Sequence, residues 1–300
     1  ANPSGNVADA TPRIISNLVV DTSLNNPFLP TDGSHIGNPG DPAIFVTPFN
    51  SLMTIFGQFF DHGLDFVAKG GSGTVFIPLL PGDPNYVEGS PTNFMALTRA
   101  TVTPAATLPD GTPLSAGQVG TNLNTTAPLV DQSQTYGSTD VMLFYLKEYD
   151  SFGVPTGRLV THADGGMATW ADIKANAAKR GITLLDTDVF NAPTPVATAN
   201  PNVFTKGPPT NQAFLADIAH SADPSNGSGG FKAPDADSII TPVVPGPPLA
   251  TYDNELLNAH YVAGDPRANE NIALTAVHEV FHGEHNRLVL QIKDLIQQQD

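Results

Sequence analysis

Ser51–Phe66 reads SLMTIFGQFFDHGLDF, and the fold turns on how this stretch is read. Leu52, Ile55, Phe56, Phe59 and Phe60 recur at the three-and-four spacing of a buried helix. Ser51, Thr54, Gln58, Asp61, His62 and Asp65 form a second, polar stripe along it. An apolar helix that carries Gln58, Asp61 and His62 within about one turn must give them partners, because an unpaired buried polar group costs on the order of 1–3 kcal/mol. These groups either satisfy one another or face a ligand. Their i, i+3, i+4 arrangement suits a pocket that holds a general base with its neighbours fixed. The plainer alternative is a structural histidine with its hydrogen bonds met. Asn50 or Ser51 suits the N-cap of this helix.

On the N-terminal side, residues 1–50 carry frequent Pro, Gly, Asn and Asp, with one apolar patch at Ile14–Val20 and a turn-forming run at Asn38–Pro42. They read as an extended arm that packs on the domain formed by residues 51–300. On the other side, the glycine-rich Lys69–Gly73 lacks the G-K-[ST] ending of a phosphate loop and reads as a turn. Thr74–Leu80 and Phe94–Val102 are β-capable runs. Asn122–Ser138 follows, in which Asp131 and Ser133, with nearby carbonyls, offer the hard oxygen donors that calcium prefers. An Asx-turn is the structural alternative there. Met142–Tyr149 is a short apolar element, Met167–Lys179 an amphipathic helix with Gly181 at its C′ position, and Asn211–His220 a short helical piece.

The second decisive stretch lies near the C-terminus. After Gly264-Asp-Pro-Arg267, a helical pattern places Leu274, Val277, Phe281, Leu288, Ile292 and Leu295 on one side. Within it, His278-Glu279-Val280-Phe281-His282 matches H-E-x-x-H, the zinc-peptidase signature of two imidazoles one turn apart beside a glutamate. The extended third-ligand spacing of that class is absent, and His285 follows His282 with no turn to bring it round. His278, His282 and His285 therefore read as residues that pack or hydrogen-bond within the helix cluster.

Composition narrows the function classes. At 300 residues and 40% apolar content the chain can bury a sizeable core. It has no cysteine, which removes disulfides and thiolate metal sites. Acidic residues outnumber basic ones 29 to 13, for a net charge of -16. Such a surface repels nucleic acid and anionic membranes and is compatible with calcium. No apolar run approaches the length of a membrane span. Low lysine, no cysteine and the acidic balance are associated with extracellular bacterial proteins.

Gly57–Asp65, Thr125–Ser138 and Gly264–Leu288, taken together and in this order, closely resemble the peroxidase-cyclooxygenase superfamily, the animal-type haem peroxidases. The resemblance implies a mainly α-helical domain of haem-peroxidase type with long irregular loops, and an extracellular bacterial enzyme that uses hydrogen peroxide to oxidise a halide, an organic donor or a metal ion. It makes His62 the distal acid/base, Gln58 its neighbour, and Arg267 the arginine that polarises peroxide. Asp61 and Glu270 match the carboxylates that can ester-link haem b, while Asn271 stands where the sulfonium-linked enzyme has methionine. Asp131, Ser133, the Leu129 carbonyl and Thr126 or Ala127 match the calcium loop; Gly63 departs from it, since the family carries an aspartate there. Independently of the family, splitting peroxide requires a base to move a proton between its oxygens and a fixed cation for the developing charge.

The family's proximal histidine lies well downstream of the arginine motif, and none stands at such a position here. The expectation is a distal half of the domain, incomplete at its C-terminus, completed by the remainder of the same protein or by a second chain. Three alternatives remain at this point: a fatty-acid dioxygenase of the same superfamily, a non-catalytic calcium-stabilised structural module of a large secreted protein, and the H-E-x-x-H zinc peptidase.

Overall fold

The computed structural model describes residues 12–14, 52–67, 69–83, 85–100, 112, 122, 124–126, 129–137, 139–216, 218–219, 221–226, 229–241 and 250–299. The proposed N-terminal arm, apart from 12–14, the N-cap candidates Asn50 and Ser51, and Ala127 lie outside these residues. Contacts group the chain into two units, one drawing on Ala1–Asn50 and Phe66–Thr125 and the other on Ser51–Asp65 and Thr126–Asp300.

The first unit contains an antiparallel pair, β1 (Lys69–Pro78) and β2 (Phe94–Ala100), in register from Thr74 opposite Thr98 to Pro78 opposite Phe94. Phe76 and Phe94 meet edge to face across it at 5.1 Å. The β-capable runs of the sequence thus pair with each other. Lys69–Gly73 forms the irregular start of β1 rather than a phosphate loop. In the same unit Arg13 grips the Asp83 carboxylate with two hydrogen bonds, of 2.8 and 2.9 Å.

The second unit is helical with small sheets. It holds α1 (Leu52–Leu64), α2 (Ser133–Tyr136) and α3 (Asp140–Leu146), which runs directly into β3 (Lys147–Tyr149). After β4 (Pro155–Leu159) come α4 (Trp170–Ala178), a 3₁₀ turn at Asp186–Phe190, β5 (Pro193–Ala197) and β6 (Phe204–Pro209). The series closes with β7 (Ala233–Pro234), β8 (Thr251–Tyr252), α5 (Asn254–Ala259) and α6 (Ile272–Gln297). β3 pairs with β4 and β5 with β6, both antiparallel, while β7 and β8 pair in parallel. The expectation of a mainly α fold therefore holds for the helices that carry the motifs but understates the strands. In a two-stranded sheet every strand is an edge, so the prolines of β5 and β6 forfeit few ladder hydrogen bonds.

The main core gathers Trp170, Ile173, Tyr145, Phe214, Ile182 and Leu257. α4 begins where the sequence allows it: Thr169 caps the Asp172 N–H and Asp172 returns a bond to the Thr169 N–H, a full capping box. Gly181 lies two residues past the C-cap Lys179, one beyond the C′ position expected of it, at φ +82°, where a Cβ would lie 3.0 Å from Val203 Cγ1. The predicted helical piece at Asn211–His220 is irregular instead, over its described residues. The Phe214 and Leu215 N–H groups both donate to Val189 O and that of Ala216 donates to Pro266 O, so the backbone is committed outside any helix.

A second, smaller cluster joins α1 to α6 through Phe59, Leu274 and Val277. Phe281 stacks on Phe59 at 5.2 Å and the His278 ring meets it edge-on at 5.0 Å. α6 begins at Asn271, whose side chain accepts from the Leu274 N–H. Its apolar stripe is buried at Leu274 and Val277, whereas Leu288, Ile292 and Leu295 are exposed. Among the described residues no helix is long and apolar enough to cross a membrane.

Candidate functional site

The α1–α6 contact fixes the site. Phe59 is fully buried, so His62, three residues on, is carried to the same inner face and is 4% exposed. Gln58, on the preceding turn, donates from Nε2 to Glu270 Oε2 at 2.7 Å and accepts from Asn271 Nδ2 at 2.8 Å. Both ends of its amide are spent, and its orientation is set by the first residues of the turn that opens α6. His62 Nε2 lies 3.4 Å from the same Glu270 oxygen. Gln58 and His62, one turn apart, thus meet Glu270, more than 200 positions further along the chain, around one carboxylate oxygen. Asp61, next to His62 in sequence, is exposed, and the Glu270 side chain is 25% exposed.

Behind the histidine stands a buried ion pair. Arg267 donates to Asp265 from Nε at 2.9 Å and from Nη2 at 2.8 Å, and the Asp265 carboxylate also accepts the Arg267 backbone N–H. Nη2 further donates to His62 O at 3.0 Å and to Asp65 O at 2.7 Å, two of the carbonyls left without helical partners at the end of α1. Arg267 therefore holds the backbone of His62 itself. Asp265 Oδ1 lies 3.9 Å from His62 Nδ1. The Gly-Asp-x-Arg turn is forced into this shape by its first residue: a Cβ at Gly264 would fall 2.1 Å from Gly137 N and 2.3 Å from Ser133 O, so α2 lies hard against the turn.

Burial pushes the His62 pKa below the usual histidine value, and the Arg267 charge lowers it further, against the opposing pull of Asp265, Asp61 and Asp65. The imidazole is accordingly neutral at pH 7 and able to accept a proton. The sequence reading missed Asp265 and Asn271 as partners, although both lie within the motif that pointed to Arg267.

The H-E-x-x-H residues are committed elsewhere. His278 is fully buried and its Nδ1 lies 3.2 Å from Thr135 Oγ1. His282 Nε2 donates to Val160 O at 2.8 Å, and Glu279 accepts the Met167 N–H at 2.6 Å. Among the described residues no group of three or more His, Cys, Asp or Glu could hold a metal ion. The zinc-peptidase alternative is not favoured: as the sequence reading expects, these residues serve as packing and hydrogen-bonding groups of α6. Asn286 reinforces this, bonding the Leu159 N–H and O at 2.8 and 3.0 Å.

Burial also drives the His278 pKa down to about 4. The unfolded chain, with histidine near 6.5, then binds the proton that the folded chain refuses, so stability is full above that pH and falls as pH drops through 6.5 toward 4. By linkage this histidine accounts for a loss of about 3 kcal/mol across that window. Urea unfolding of the wild type and of His278→Asn at pH 7 and pH 4.5 checks it: the midpoint of the variant is to fall less over that interval. An equal fall in both assigns the acid sensitivity to other groups.

The predicted calcium ligands are only partly assembled. Ser133 is buried, but Leu129 is 61% exposed, Asp131 is exposed with its Oδ1 accepting the Ser133 N–H at 3.0 Å, and Thr126 is half-buried.

Two comparisons bear on this geometry. Residues 238–300 match the family model for animal haem peroxidase. A curated human protein, "Probable oxidoreductase PXDNL", is 36% identical over 66 residues, which cover 22% of this chain and 4% of that protein. The chain thus matches only a small part of the length of that relative.

Proposed function

Because this chain belongs, through residues 238–300, to the peroxidase-cyclooxygenase superfamily, we propose that it is the distal-histidine part of a haem peroxidase that uses hydrogen peroxide to oxidise a small reductant: a halide, an organic donor or a metal ion. The observation that carries this reading is the convergence of Gln58, His62 and Glu270 on one carboxylate oxygen, with a neutral imidazole held by its own backbone. The residues fit a haem lying against this face. Asp61 and Glu270, both exposed, are the carboxylates that would hold the group by ester links. When bound, haem b supplies the iron that accepts the oxidising equivalents of peroxide.

His62 Nε2 takes the proton from one peroxide oxygen and delivers it to the other, which leaves as water. Glu270 and Gln58 keep the ring facing that position, and the paired Asp265 keeps Arg267 in place. Arg267, paired with Asp265 behind the histidine, holds the backbone of His62 and keeps its imidazole deprotonated between turnovers. A proximal histidine comes from the remainder of the protein or from a second chain. The acidic, cysteine-free composition supports a secreted location.

The test is an absorption spectrum of the full-length gene product loaded with haemin, followed by peroxide-dependent oxidation of a chromogenic phenol. A Soret band with turnover is expected. A protein that binds no haem and leaves peroxide untouched overturns the proposal.

A further inference from the structure

The calcium loop implied by the family resemblance needs a carboxylate at position 63, and this chain has glycine there. The structure shows what stands in that space. A Cβ built on Gly63 would fall 2.7 Å from Gln134 Oε1 and 3.2 Å from its Cδ. Gln134 is 1% exposed, and among the described residues its Oε1 has no hydrogen-bond donor. Any side chain at 63 would have to expel the amide.

The rest of the donor set does not suit calcium. The ion takes six to eight oxygens, with carboxylates among them. Here Asp131 is the one acidic side chain of the loop, it is exposed, and one of its oxygens is engaged by the Ser133 N–H. α2 is already fastened without a metal. The Gly264 N–H donates to Thr135 O at 2.9 Å, and Thr135 Oγ1 meets His278 on α6. Thr135 thus ties α2 both to the arginine turn and to α6, while Gln134 faces α1 directly after His62.

We infer that Gln134 takes the place of the family's calcium: its buried amide wedges α2 against Gly63, and the distal histidine is held without a metal ion. The inference uses the family resemblance to locate the loop but depends on no turnover, so a protein that failed to bind haem would leave it standing.

Two measurements on the purified full-length protein decide it. Metal analysis after dialysis against calcium, and melting curves in calcium and in EDTA, should show no bound calcium and coincident midpoints. A retained site at a hundred times its dissociation constant would raise the midpoint by about 5–10 °C, and such a shift, or stoichiometric calcium, overturns the inference. Gln134→Ala should lower the midpoint equally in calcium and in EDTA; an unchanged midpoint also overturns it.

Discussion

Under the proposed peroxide chemistry, replacing His62 by alanine in the full-length protein should lower kcat/KM for hydrogen peroxide about 10²–10⁴-fold, the range that general acid–base groups supply. The effect is expected to fall on chemistry, because the backbone of His62 is held independently of its ring, by Arg267 at His62 O. The fold should survive for the same reason, since Phe59 and Leu274 carry the α1–α6 contact. Steady-state kinetics and a urea curve on the same preparation separate the two. Turnover within a few-fold of wild type would remove His62 from the mechanism. Gln58→Leu provides a graded companion: it frees Glu270 and Asn271 from their shared amide and should cost less than loss of the imidazole, because Glu270 still flanks His62.

The second large effect is on stability. Arg267→Ala leaves Asp265 buried at 3% exposure without its bidentate partner and strips donors from two carbonyls at the end of α1. Breaking a buried pair in this way costs about 3–5 kcal/mol. Replacing both members with alanine should cost clearly less than the sum of the single changes, because neither then leaves a charge stranded. A urea-unfolding cycle over the four proteins reads this directly, and additive costs would show that the pair does not act as one unit. The variant also has a kinetic signature. With the Arg267 charge gone, the pKa of His62 rises toward its ordinary value, so any remaining peroxide turnover should lose activity on the acid side at a higher pH than in the wild type.

How much of this could be read from the sequence follows from where each interaction lies along the chain. α1 was legible because Ile55, Phe56 and Phe59 mark its buried face and Gln58, Asp61 and His62 its polar one. α6 was legible because its apolar spacing runs for several turns, although the pattern does not distinguish a buried stripe from the exposed Leu288, Ile292 and Leu295. The β5–β6 pair was not legible: its strands read PTPVA and FTKGPP, and proline-rich runs signal irregular backbone in sequence even where a free sheet edge tolerates them. The roles of Asp265 and Asn271 were hidden for another reason. Their residue types suit turns and caps anywhere, and only the fold brings them within reach of His62 and Gln58. Gln134 left no local signal at all. Its relation to Gly63 exists only once α2 has come to rest on α1, and the same holds for the failed helix at Asn211–His220, whose N–H groups are claimed by Val189 and Pro266.

The grip of Arg267 on His62 spans 205 positions of chain, and this has a temporal consequence on the ribosome. At a synthesis rate of about 5–20 residues per second, His62 is made roughly 10–40 s before Arg267. Throughout that interval the apolar face of α1, with Phe56, Phe59 and Phe60, has neither α6 nor the arginine turn to cover it. The α1–α6 site around His62 is therefore among the last parts of this unit to take form.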